Sequence, residues 1–248
     1  MKTTGMDEPV NEPVNEPVNG PQTGPQTGPQ TEPQTEPQAG PQSGLLPDPL
    51  PLFPLQTVLF PGALLSLKVF EARYLDLISD CLRLRQPFGV IGLREGGEVG
   101  RGTKADSLES VGVLAYIDEV DAEQTSILRV GCTGGLRFRI TAPPAQQDNG
   151  LWLAKAESIP GDPLRVPGPA MLKTVEALGE AIRKLQERDH ELFAKPYRLD
   201  DAGWVANRWC ELLPIPTAAK QKLMELEDPM IRLSLVDGFL RDKMVVFG

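Results

Sequence analysis

The apolar residues of this chain change their spacing at Pro169, and that change limits the fold more than any other feature. Before Pro169, two segments alternate apolar and polar residues, as strands with one buried face do. After it, apolar residues recur every third or fourth position, which is typical of one helix face. The strand segments contain Leu65, Leu67 and Val69, and Leu136, Phe138 and Ile140; the helical stripe contains Met171, Val175, Leu178, Ile182 and Leu185. The sequence therefore predicts an α+β fold, with strands first and helices second.

Two nearly continuous apolar runs, residues 88–93 and 111–117, are expected to be strands covered on both faces. Glycine-bearing or acidic segments are expected to connect the strands, at residues 96–102, 118–123 and 143–150. One helix, beginning near Glu71, is expected to interrupt this β-rich part.

Polar residues mark the helix starts in the second part of the chain. Asp200 and Asp201 precede one apolar stripe, and Thr217 is expected to cap the next helix. Asp228 followed by Pro229 predicts a capped start for the final helix. That helix is apolar over much of its circumference and is expected to be well buried; its apolar residues are Ile231, Leu233, Leu235, Val236, Phe239 and Leu240.

A tetrapeptide repeat with proline at the third position of each unit fills residues 7–42. Neither a helix nor a central strand tolerates that proline spacing, and the segment has little apolar surface to bury. Residues 1–44 are therefore expected to be a disordered tail with local polyproline II character. The predicted division is a tail at 1–44, a β-rich subdomain at 45–165 and a helical subdomain at 166–248, the last two forming one domain.

Composition narrows the class of protein. The formal net charge of −9 places −5 in residues 1–44 and −4 in the rest, so the folded part is only mildly acidic. The start of the chain lacks a signal-peptide pattern, and no apolar run reaches membrane-spanning length, so the cytoplasm is the expected location.

The three cysteines give no sign of a disulfide or a metal site. Cys81, Cys132 and Cys210 are far apart and form no C-x-x-C pair. Buried, reduced thiols are expected, and no metal site or cofactor.

Three spaced segments carry a resemblance to a known family. They are LPLFPLQTVLFPGALLSLKVFEARY at residues 50–74, VGVLAYIDEVDAEQTSILRVGCTGGLRFRI at 111–140 and KQKLMELEDPMIRLSLV at 220–236. In order, they resemble the first strand and helix start, the central hairpin and the closing helices of the Lon protease N-terminal, substrate-binding domain.

This resemblance implies a PUA-like β pseudo-barrel joined to a helical subdomain that engages substrate proteins. A full Lon protease continues into an ATPase and a peptidase, whereas this sequence stops at Gly248. The resulting expectation is a stand-alone, non-catalytic module.

Candidate catalytic groups are each better explained structurally. Residues 97–104 contain Thr103 and Lys104 in the wrong order for a phosphate-binding loop and lead toward a strand. Ser66 and Lys68 share one strand face, but a regular strand supplies no oxyanion hole, so a solvated face is expected. His190 is the only histidine and cannot anchor a multi-histidine metal site.

Two charged groups could bind ligands in principle. Asp118, Glu119, Asp121 and Glu123 do not fit the spacing of an EF-hand and are expected to be turn residues. Arg129, Arg137 and Arg139 could line one strand face and touch RNA phosphates, as in other PUA-like folds. In a net-acidic protein a solvated face is the expectation.

Residues 60–74 are expected to serve mainly in turns and helix caps, and the alternative is that some border a groove for a partner. The candidate residues for that groove are Phe60, Phe70, Glu71, Arg73 and Tyr74. The leading functional hypothesis is a protein-binding module that recognises apolar or extended polypeptide segments, as an adaptor or holdase, and works with a full-length protease or chaperone. The alternative hypothesis is RNA binding.

Overall fold

In a computed structural model of the protein, the described residues are 46–94, 104–124, 126–188 and 192–243. They all belong to one compact unit, residues 40–248. The proline-repeat tail, residues 97–103 of the glycine-rich loop and His190 lie outside the described residues.

Eight strands within the described residues form one mixed sheet. They are β1 (Leu50–Leu55), β2 (Leu64–Val69), β3 (Phe88–Leu93), β4 (Leu108–Gln124), β5 (Ile127–Ile140), β6 (Ala145–Gln146), β7 (Trp152–Ala154) and β8 (Ala156–Ser158). Their order is β2-β5-β4-β3-β1-β7-β6, and β8 pairs with β5. Only β1 and β3 are paired in parallel among these strands, and the long crossover that this pairing requires contains β2 and helix α1 (Ala72–Leu84).

Four further helices follow the strands in the described residues. They are α2 (Leu172–Gln186), α3 (Ala202–Leu212), α4 (Thr217–Glu225) and α5 (Pro229–Asp242). The predicted α+β order is therefore confirmed. None of the described helices combines the length and apolar character needed to cross a membrane.

Two polar caps explain where helices begin. The Asp201 side chain accepts a hydrogen bond from the Gly203 amide at the start of α3. Asp228 accepts from the Met230 and Ile231 amides, with Pro229 in the first turn of α5, as predicted. Thr217 is the first helical residue of α4, and Pro216 occupies the cap position, so the predicted cap is wrong by one residue.

The sheet is covered on both faces. Phe88, Val90 and Val113 lie in a large apolar cluster that also contains residues of α2, α3 and α5, whereas Ile91 and Leu114 lie in a smaller cluster on the opposite face. The apolar runs of β3 and β4 are thus buried on both sides, as predicted. Strands and helices share the larger cluster, so the core is continuous between them.

Two further sequence expectations about these elements are wrong. Residues 118–123 continue β4 and are not a connection, since Glu119 and Asp121 pair with Gly131 and Arg129 of β5. An acidic segment can extend a strand here because its side chains project from a solvent-exposed hairpin. Helix α5 is not buried around its circumference, because Ile231 and Leu235, four residues apart, share a face that is open to solvent.

Candidate functional site

A groove of about 280 Å³ opens between the end of β1, strand β2 and the start of α1. Its residues come from two stretches of chain that lie far apart along the sheet order. Those residues are Phe53, Leu55, Thr57, Leu65, Ser66, Leu67, Lys68, Val69, Phe70, Glu71 and Tyr74. A volume at the lower end of the range for ligand pockets suits one or two anchoring side chains.

The floor of the groove is aromatic and rigid. Tyr74 stacks on Phe53 with ring centroids 4.1 Å apart, and Phe53 in turn contacts Phe88 at 6.0 Å. All three rings are buried in the large apolar cluster. Aromatic contacts of this kind favour one fixed arrangement, so the floor offers a preformed apolar surface.

Arg73 lies behind the floor and holds its neighbours in place. Its guanidinium carbon is 4.7 Å from the centre of the Tyr74 ring, and Nη2 is 2.7 Å from the Glu71 carboxylate. Nη1 donates to the carbonyl oxygen of Gly150 at 3.0 Å. Arg73 is buried and does not line the groove, so its role there is to position Glu71 and Tyr74.

The rim of the groove is exposed and amphipathic. Phe70 keeps 52% of its surface exposed, although it follows a strand whose inward residues Leu67 and Val69 are buried. Ser66 and Lys68 also face solvent, as expected for this strand face. An apolar side chain exposed beside an apolar floor is a feature of binding surfaces.

The five candidate residues do not all meet at the groove. Phe70, Glu71 and Tyr74 line it, Arg73 supports it from behind, and Phe60 is fully buried in the core. A binding role for these residues stays a prediction. Sequence reasoning missed Phe53, Leu55 and Thr57, because their closeness to β2 depends on the three-dimensional arrangement of strands that are not neighbours in the sheet, and not on any local pattern.

Phe60 belongs to a turn that a distant arginine secures. The Ala63 amide donates to the Phe60 carbonyl oxygen at 3.0 Å, and Gly62 has a φ of 74°, which favours glycine. Arg208 of α3 donates to the carbonyl oxygens of Pro61 and Gly62 at 2.8 and 2.6 Å. The predicted turn is therefore fixed from the helical part of the protein.

Arg208 is fully buried and needs a counterion. The Glu211 carboxylate lies 2.5 Å from its Nη2. Burial raises the pKa of Glu211 to about 7, and the Arg208 guanidinium opposes that rise. Burial likewise lowers the pKa of Arg208, and Glu211 opposes that change.

The three arginines considered for phosphate binding do not share one face. A β-bulge shifts the β4–β5 register between the pairs Val113/Arg137 and Ala115/Gly134. Because one extra residue reverses which side the following residues face, Arg129 remains exposed while Arg137 points under the helices. There it is 2.7 Å from Asp162, so the expectation of a solvated Arg137 is wrong. Arg139 pairs at the surface with Glu227 at 3.1 Å.

The remaining polar candidates have contacts and burial that a structural role explains. No group of three or more His, Cys, Asp or Glu side chains suited to a metal ion occurs among the described residues. Asp118 accepts a hydrogen bond from the Thr133 hydroxyl at 2.7 Å. Cys81, Cys132 and Cys210 are buried and unpaired, as predicted, and burial raises each thiol pKa to about 12.

The sequence match to known proteins covers almost all of the described residues. The sequence profile of the ATP-dependent protease La (LON) substrate-binding domain matches residues 49–242. The chain belongs to the Lon substrate-binding domain family. The Lon protease of Paraburkholderia phytofirmans is 30% identical over 196 residues, which are 77% of this chain and 24% of that protein. The chain thus spans about a quarter of the length of this curated relative.

Solved structures of Lon N-terminal domains have the same fold. The Lon N-terminal domain protein from Xanthomonas campestris superposes with a TM-score of 0.62 at 29% identity, covering 77% of this chain and 97% of that one. The N-terminal domain of the Mycobacterium avium complex Lon protease gives 0.55 at 18% identity, covering 78% and 98%. The second comparison supports the fold alone.

Proposed function

We propose that this Lon-family domain is a recognition module that binds exposed segments of substrate proteins and takes no catalytic part itself. The observation that carries the proposal is the groove beside β2, with its buried aromatic floor and the half-exposed Phe70 at its rim. An apolar floor bordered by polar side chains favours segments that present an apolar residue between polar ones. Such segments are exposed in unfolded or partly folded proteins.

The descriptions of the relatives support a role connected with proteolysis. Relatives are described as a Lon protease and its N-terminal domains, so we propose that this domain delivers or retains polypeptides as an adaptor or holdase. A full-length protease or a chaperone is the partner class that this role requires. Three buried, unpaired thiols favour a reducing compartment, and the cytoplasm remains our proposed location.

The arrangement of the arginines does not favour nucleic-acid binding. Of the three arginines that suggested it, Arg137 is buried against Asp162 and Arg139 is paired with Glu227. A phosphate-binding face needs cations clustered on one surface. RNA is therefore not proposed as a ligand.

Binding of an unfolded protein to the full chain tests the proposal. A fluorescently labelled, permanently unfolded protein is titrated and its anisotropy measured. Phe70→Ala should raise the dissociation constant by about fivefold or more, as loss of a large aromatic contact at an interface does. Leu235→Ala is the matched control, because Leu235 is exposed to a similar extent, 54% against 52%, but lies on α5. Absence of saturable binding by the wild-type chain, or equal loss in both variants, would contradict the proposal.

A further inference from the structure

The outer edge of β2 is the part of the sheet that borders the groove. In the described residues β2 stands at the end of the strand order and pairs with β5 on one side. A strand in that position presents backbone amides and carbonyls on its other side. The groove is lined by every residue from 65 to 71. Side chains of successive strand residues point to opposite faces, so a groove bordered by all of them runs along the backbone edge.

The hydrogen bonds next to the Phe60 turn identify which backbone groups face the groove. The Gly62 amide donates to the Gly134 carbonyl oxygen at 2.7 Å, and the Gly134 amide donates to the Ala63 carbonyl oxygen at 2.8 Å. With Gly62 at φ 74°, this is a bulge that makes Ala63 and Gly134 a hydrogen-bonded pair. Such pairs alternate along an antiparallel ladder. Leu65 and Leu67 therefore bond to β5, whereas the amides and carbonyls of Ser66 and Lys68 point away from it.

The start of this edge already accepts an added segment of the chain itself. Ala63 forms an isolated antiparallel bridge with Phe193, on the side away from β5. This bridge shows that the edge can pair with extended backbone, and it places the candidate stretch for an added strand after Leu64. On the far side of the groove, β1 pairs with β7 from Leu50 to Leu52, and Phe53 and Leu55, which follow that paired stretch, line the groove.

We propose that an extended polypeptide segment binds by adding a strand to the edge of β2 at Ser66 and Lys68. The inference rests on the proposed function and specifies how the ligand is held. Main-chain hydrogen bonds give affinity without demanding one sequence, and alternate side chains reach the groove. This mode suits a domain that must accept many different proteins.

Strand addition also predicts the ligand's pattern. Ligand side chains beside Leu67 and Val69 point toward the floor made by Phe53 and Tyr74, so small or medium apolar residues are favoured there. Ligand side chains beside Ser66 and Lys68 remain at the surface. Apolar side chains at every second position of the ligand are therefore favoured.

Amide hydrogen exchange of the full chain tests this mode directly. The probe is an unfolded protein at saturating concentration, and exchange is followed for single residues by NMR. The Ser66 and Lys68 amides should exchange quickly in the free protein and at least about tenfold more slowly in the complex. The Leu65 and Leu67 amides, which bond to β5, should be protected in both states and serve as internal controls.

A proline substitution provides a second, independent measurement. Ser66→Pro removes one outward amide without removing a bond to β5, which edge strands tolerate. It should weaken binding of the unfolded protein by about tenfold, since the lost bond is accompanied by a steric block. Ser66→Ala, which keeps the amide, should bind within about twofold of the wild type.

The outcomes separate this inference from the proposed function. Saturable binding without new protection at Ser66 and Lys68 would overturn strand addition and leave a protein-binding role intact. Protection of these amides already in the free protein would overturn it too. Absence of binding to the unfolded protein would overturn both. Should Ser66→Pro fail to fold, the exchange measurement decides alone.

Discussion

Arg208 donates a hydrogen bond of 2.6 Å to the carbonyl oxygen of Gly62, a residue 146 positions earlier in the chain. A second bond reaches Pro61, so one buried side chain satisfies two carbonyls of the turn that leads into β2. The edge of β2 beside the groove is thus positioned by helix α3. Stability of the helical part and geometry of the groove are therefore coupled.

Replacing Arg208 with Met should destabilise the protein by about 3–5 kcal/mol, because it leaves the buried Glu211 without its cation and two carbonyls without donors. Arg208→Lys should cost less than Met but remain destabilising, since a single ammonium cannot reproduce the forked geometry of the guanidinium. Urea unfolding measures both values. Arg183→Met is the control, because the Arg183–Glu180 pair is exposed and should contribute less than about 1 kcal/mol. Equal effects at positions 208 and 183 would contradict this account.

Asp162 is the shared acceptor for two buried arginines, Arg137 at 2.7 Å and Arg232 at 2.5 Å. Asp162→Asn should lower the free energy of unfolding by about 3–5 kcal/mol, because it leaves two cations buried without a carboxylate. The matched control is Glu227→Gln, which removes the exposed partner of Arg139 and should cost under about 1 kcal/mol. A loss at position 162 no larger than at position 227 would show that the pairs are not buried in solution.

Glu211 should make stability fall as pH rises. Its folded pKa of about 7 exceeds its ordinary value of 4.5, so the folded state holds the proton more tightly than the unfolded state. Unfolding free energy should decrease between pH 4.5 and about 7, by on the order of 3 kcal/mol from this group. Glu211→Gln should remove that slope, measured as the urea midpoint against pH. Glu180→Gln, at an exposed carboxylate, should leave the slope unchanged.

Two glycine-to-alanine substitutions should change the stability of the protein in opposite directions. Gly62→Ala places a side chain at φ 74° and should destabilise by about 1–2 kcal/mol. Gly238 lies within α5 with open space where a Cβ would project, so Gly238→Ala should stabilise by up to about 1 kcal/mol. Thermal unfolding of both variants measures the difference. Two changes of the same sign would show that one of these backbone environments differs from the structure.

The order of strands and helices could be predicted because spacing and capping are local signals. Asp228 and Pro229, for example, mark the start of α5 by their own chemistry. Burial of Arg137 could not be predicted, since it depends on a bulge in β5 and on Asp162, which is 25 residues away. The groove could likewise be predicted only in part. Ser66 and Lys68 share a strand face by their spacing, whereas Phe53 comes to the same groove from β1, a strand that is not a neighbour of β2 in the sheet. The division at residues 165 and 166 stays a prediction.

The apolar cluster shared by strands and helices has a consequence for how the molecule melts. Trp152 lies in β7, and Trp209 packs in α3 with its indole nitrogen donating to the Thr174 carbonyl oxygen of α2 at 3.0 Å. Neither part can open without exposing the surface that the other part covers. Fluorescence from Trp152 of β7 and from Trp204 and Trp209 of α3 should therefore change at one midpoint. A polypeptide held at the groove should raise that midpoint for the helices as much as for the strands.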